Sequence, residues 1–154
     1  MTCELRLTRV MGLPVIRGER QVGHVERAVL SPDGKQLAGL VVRRGLGSAR
    51  WIVRDGISVL GEVCVIVTSA PVRLPRAIID APRRVSDASG LALGRVTDAW
   101  LLTDTLQTAA LEVPLGPIAD LRRGRLRVNR WTMQTNDDCT PQILIGRNEW
   151  EVLT

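Results

Sequence analysis

The sequence predicts an all-β protein: two small antiparallel β-barrels in tandem, the second degenerate, followed by a C-terminal β-hairpin. Three observations predict it. A hairpin pattern over residues 23–42 recurs without a gap 71 positions later, over 94–113. Short apolar runs rich in Val, Ile and Leu are bounded by Gly and Pro, the pattern of strands and turns. No stretch carries the 3.6-residue apolar period of a long amphipathic helix.

The repeat is the strongest of the three. Gly23 aligns with Gly94, Val25 with Val96, Leu30 with Leu101, Asp33 with Asp104, Gln36 with Gln107, Leu40 with Leu111 and Val42 with Val113. Self-similarity at a fixed offset marks a fold built from copies of one unit. A unit of this size buries little surface alone, so two units gain by packing together or by dimerising.

Taken in order, Glu4 to Arg9 alternates charge with Leu and reads as an entry strand. The next strand ends at Leu30. Ser31-Pro32-Asp33-Gly34 is turn chemistry, in which Pro fixes φ and Asp and Gly tolerate the reversal. The return strand places Leu37, Gly39 and Val41 on one face and Ala38, Leu40 and Val42 on the other. With both faces apolar, the sequence expects the second face to be covered, and it expects Val41 and Trp100 to be interface residues. At the position of Val41 the second copy has Glu112, which predicts a wetter site there. Gly45-Leu46-Gly47-Ser48 is a loop, Trp51-Ile52-Val53 a strand, residues 57–60 a helical turn or bend, and residues 63–67 a closing strand.

Pro71, Pro75 and Pro82 mark residues 70–82 as a linker, dividing the chain into 1–69 and 83–154. In the second unit Ile118 and Leu121 match Ile57 and Leu60 at an offset of 61, so the counterpart of the Trp51 strand is expected to be missing. Arg125 to Asn129 alternates as a half-exposed strand, and Thr132 to Pro141 reads as a polar loop. Residues 143–145 and 150–153 form the expected terminal hairpin, with no counterpart in the first unit.

At this point the residues resemble the PRC-barrel family. They are Gly12-Leu13-Pro14-Val15, Gly23-His24-Val25, Asp33-Gly34 and Leu40-Val41-Val42-Arg43. The resemblance covers residues 5–68, and more weakly 83–130, where Asp104-Thr105 stands in place of Asp-Gly. It implies a small barrel used as a binding or assembly platform, with no catalytic residue to carry over. The family includes the cytoplasmic domain of the photosynthetic reaction-centre H subunit and the C-terminal domain of a small-subunit rRNA maturation factor, so the fold does not fix the partner.

Composition narrows the function. The net charge is +5, and Lys35 is the only lysine among 21 basic residues. The densest basic run contains Arg122, Arg123, Arg125, Arg127 and Arg130. It reads as a solvated strand face, or alternatively as a phosphate-contacting strand of an RNA-binding or ribosome-maturation factor. The lack of Phe and Tyr weakens a base-stacking role. His24, the sole histidine, has no nucleophile or orienting group in view and reads as structural. Asp137-Asp138-Cys139 is too small a set for a metal, and the three cysteines show no CxxC spacing. The expectation is a cytoplasmic, non-enzymatic protein with no cofactor, binding a protein partner or a second copy of itself.

Overall fold

The computed structural model describes residues 3–78, 80–114, 124–135, 140–146 and 149–153. It is all-β, with 57% of residues in strands against 5% in helix, and its sheets curl, one into a half-barrel. Two compact units are resolved. The first is Met1–Ala81 with Leu101–Thr108, and the second is Pro82–Trp100 with Ala109–Thr154.

The first unit opens with β1 (Glu4–Arg6) and one helical turn, α1 (Leu7–Val10), where the sequence reads a single strand to Arg9. Then follow β2 (Pro14–Arg17), β3 (Arg20–Leu30), β4 (Leu37–Arg43) and β5 (Arg50–Val53). A short 3-10 turn leads to β6 (Ile57–Leu60), β7 (Val65–Val67) and β8 (Val72–Arg73). Residues 57–60 are therefore a strand rather than a bend, and part of the expected linker pairs with β5 as β8. The sheet order is β6-β7-β2-β3-β4-β5-β8. All its neighbours are antiparallel except β2 and β7, which run parallel with Val15 opposite Val65. Its core is Val15, Val25, Leu40, Val42, Ile52, Leu60, Val65 and Val67, all buried.

The second unit has β9 (Arg84–Asp87), β10 (Ala92–Arg95), most of β11 (Asp98–Leu102) and of β12 (Thr108–Pro114), whose tip residues Leu101, Leu102 and Thr108 fall in the first, then β13 (Arg125–Val128), β14 (Thr132–Thr135), β15 (Pro141–Ile145) and β16 (Trp150–Leu153). One sheet runs β10-β9-β15-β14, and in another β11, β12, β13 and β16 are successive neighbours. Three corrections follow. The strand expected to be missing is present: β13 pairs with β12, with Leu111 opposite Val128, as β5 pairs with β4, with Leu40 opposite Ile52. Residues 132–135, read as a loop, form β14. The terminal hairpin does not form, because β15 pairs with β14 and, in parallel, with β9, whereas β16 pairs with β13.

A glycine sits at the matching point of β3 and of β10. Gly23 and Gly94 adopt φ of 151° and 148°, where a Cβ is disfavoured, and each sits beside a register shift. Each also packs tightly on the neighbouring strand, Gly23 on the Arg43 carbonyl and Val42, Gly94 on the Pro114 carbonyl and Val113. At the hairpin tips the first turn uses Gly34, with φ 72°. The second lacks a glycine and places buried Leu106 at φ 59° instead.

Within the first unit the two tips pair. Leu37 N–H donates to Leu106 O at 2.8 Å, Thr108 N–H donates to Lys35 O at 2.9 Å, and Gln36 bridges Gln107. Gln36 and Gln107 are 71 apart, so each tip meets its own sequence counterpart.

Ser31 Oγ donates to Asp33 Oδ1 at 2.6 Å, and Lys35 N–H donates to the same oxygen at 2.9 Å. The Ser31 bond, against the opposing effect of partial burial and with help from Lys35, holds the Asp33 carboxyl below its ordinary value. The resulting stabilisation is present above the ordinary carboxylate range and is lost as pH falls through the lower folded value. Chemical denaturation of wild type and Asp33→Asn is expected to show the variant less stable at neutral pH, with the difference closing in acid.

Candidate binding surfaces

Val41 is 2% exposed within the chain, opposite Arg27 on β3 and Trp51 on β5. Trp100 is half-buried, and the Arg127 guanidinium lies 4.7 Å from its ring centroid, a cation–π contact inside the second unit. Glu112 is 2% exposed rather than wetter than Val41, which corrects the expectation from charge. Arg125 Nη1 donates to its Oε1 at 3.1 Å while the Arg125 side chain stays more than half exposed. Burying a carboxylate carries a desolvation cost that often cancels what its ion pairing gains, and an apolar residue of similar volume is often neutral or stabilising in its place. Glu112→Val, which installs the first copy's residue, is therefore expected to raise the unfolding free energy by about 1 kcal/mol in urea titration. A loss of stability would show the ion pair to be net favourable.

The basic run is divided. Arg125 serves Glu112, and Arg127 lies on Trp100 and donates to Asn129 Oδ1 at 3.2 Å. Arg130 is exposed, while Arg122 and Arg123 lie outside the described residues. His24 is exposed and bonds Gln21 at 3.1 Å. Asp137, Asp138 and Cys139 lie outside the described residues. Among those described, no three of His, Cys, Asp and Glu come together, and no helix is long and apolar enough to cross a membrane.

Two surfaces of the first unit were not foreseen. One is apolar. On the outermost strand β6, exposed Val59 stands opposite exposed Ile66 of β7, and Val63 in the connecting turn is 79% exposed. In the second unit the first of the four pairs opposed on β14 and β15 sets a polar residue, Thr132, against Leu144.

The other is basic. Arg17 and Arg20 end the β2–β3 hairpin, Arg44 follows β4, Arg50 opens β5, and Arg73 on β8 stands opposite Arg50. These five lie at one end of five successive strands. At about 4.8 Å per strand the row is roughly 19 Å long. Two adjoining hollows lie along it, of about 480 and 600 Å³. Arg17, Arg20 and Gln21 line the first, Gly47, Ser48 and Arg50 the second, and Val22 and Arg44 both. Arg17 Nε donates to Thr68 O at 3.4 Å, while Arg20, Arg44, Arg50 and Arg73 have no ion-pair partner among the described residues. The sequence signal was weak because the row is assembled from two separate turns and the later strand β8.

No protein-family model matches the chain, and no curated protein matches its sequence.

Proposed function

We propose that the chain is a non-catalytic binding module made of two PRC-barrel-like units, and that it presents the outer strands of the first unit to a protein partner. The observation that carries this reading is the exposed apolar trio Val59, Val63 and Ile66 beside the open edge of the sheet. Such an edge invites association when uncovered. Covering these side chains is worth on the order of 1 kcal/mol each.

The barrel-like reading is supported by matched ladders. The first unit's order β6-β7-β2-β3-β4-β5-β8 has its parallel in β14-β15-β9-β10, continued by β11-β12-β13-β16, once β3 is taken as the unbroken form of β10 and β11. On this reading the second copy is complete, and its terminal strands are counterparts of β7 and β8. RNA binding through the basic run is less well supported, because Arg125 and Arg127 are engaged within the chain.

The test is chemical crosslinking in native cells with wild type and a Val59→Asp, Ile66→Asp double variant, followed by reconstitution from purified proteins. The expected result is one protein crosslinked to wild type, lost with the variant, and binding wild type alone when purified. Equal capture by both, or capture of none, overturns the reading.

A further inference from the structure

We propose that the arginine row of the first unit docks the protein on an anionic lipid bilayer, with Leu46 entering the apolar edge of the membrane. Charge, position and an apolar tip together carry this inference.

Leu46 is fully exposed, at the tip of the β4–β5 loop. The loop is held rather than loose: Gly47 N–H donates to Arg44 O at 2.9 Å, and Arg43 Nη1 donates to Gly47 O at 2.7 Å. Arg43 is anchored in turn by Glu26 at 3.0 Å. Leu46 therefore projects from the end of the sheet that carries Arg17, Arg20, Arg44, Arg50 and Arg73.

The barrel scaffold does not demand this arrangement. At the ladder positions of Arg17, Arg20, Arg50 and Arg73, the second unit has Asp87, Leu91, Leu126 and Val152. The same end of that unit is lined by Asp87, Ser89 and Trp150. At these four ladder positions the arginines belong to the first copy alone.

The pair of features selects the occupant. Guanidinium groups form forked hydrogen bonds with phosphate, and each basic group near an anionic leaflet adds to affinity. A nucleic-acid backbone would satisfy the arginines but would leave Leu46 in water, and the hollows offer no aromatic ring for a base. A bilayer uses both, with phosphate headgroups at the row and the acyl boundary at the leucine. Occupied by lipid, this end leaves the apolar trio on β6 and β7 to the protein partner, so the two proposals stand or fall separately.

Flotation of the full chain tests the inference, using phosphatidylcholine vesicles with and without phosphatidylglycerol. Wild type is expected to float with the anionic vesicles alone, and less so in high salt. Arg44→Ser and Arg50→Ser are each expected to weaken binding about fivefold. Leu46→Ser is expected to weaken it about tenfold without changing the salt dependence. These side chains are exposed, so melting temperatures should stay near that of wild type, and Arg9→Ser serves as a control of equal charge loss away from the row. Failure to float, or Leu46→Ser floating as well as wild type, overturns the proposal. So does tight binding of an RNA homopolymer that the Arg44 and Arg50 variants lose while vesicles do not compete.

Discussion

Gly39→Ala is expected to cost about 3 kcal/mol of unfolding free energy, a loss at the upper end of the usual range for an overpacked site. A Cβ at this position would lie 2.5 Å from the Ile52 carbonyl oxygen and 2.5 Å from the Trp51 ring. The first neighbour is backbone and cannot rotate away. The second is the indole that lies across β4, so the glycine is what lets that ring lie close to the sheet. The second unit supplies the contrast. The corresponding residue is Ala110, fully buried, and the residue at the ladder position of Trp51 is Arg127, whose head is over Trp100 instead. Glycine with tryptophan and alanine with arginine are thus two solutions to one packing problem. Adding Trp51→Arg to Gly39→Ala should recover part of the loss, a non-additivity that urea titration of the single and double variants reads directly. Equal losses with and without the second change would show that the carbonyl clash alone decides the cost.

Gly23→Ala and Gly94→Ala should both destabilise, by about 2 and about 1 kcal/mol. Both glycines hold a positive φ that a side chain tolerates poorly. Their order follows from the contacts. A Cβ at Gly23 would meet the Arg43 oxygen and Val42 Cγ1 at 2.8 Å each, while at Gly94 the matching distances, to the Pro114 oxygen and Val113 Cγ1, are 3.0 and 3.2 Å. Thermal melting of the two variants gives the ranking. A harmless Gly23→Ala, or a reversed order, would show that the two glycines do not play matching parts.

Much of this architecture was legible because it is local. The two hairpins announce themselves by apolar runs, turn residues and a glycine repeated at one offset, and β3, β4, β11 and β12 lie where those signals put them. What was lost is what depends on distant partners. Arg125-Leu126-Arg127-Val128 does not look like Arg50-Trp51-Ile52-Val53, and the ladder offset there is 76 rather than 71, so the like pairing of β13 with β12 and of β5 with β4 was hidden by a longer connection. Thr132-Met133-Gln134-Thr135 carries no apolar alternation, yet it is a strand because β15 lies beside it. The terminal strands suggested a hairpin because Gly146 and Asn148 resemble turn chemistry, whereas their partners are β9 and β13, far back in the chain. Glu112 misled because charge predicts water, whereas the ion pair with Arg125, a residue of the next strand, helps to hold its carboxylate inside. The candidate surfaces escaped for the same reason as the strands: Arg17, Arg44, Arg50 and Arg73 become neighbours only through the sheet order.

The account turns on the second unit repeating the first through to its last strand, and the strand pairing of β15 and β16 in solution measures that directly. Cross-strand nuclear Overhauser contacts in the isotope-labelled chain are expected between Ser86 and Leu144, in the parallel pattern, and between Arg127 and Glu151, in the antiparallel one. Contacts joining residues 143–145 to 150–153 as a closed hairpin, with none to β9 or β13, would contradict it.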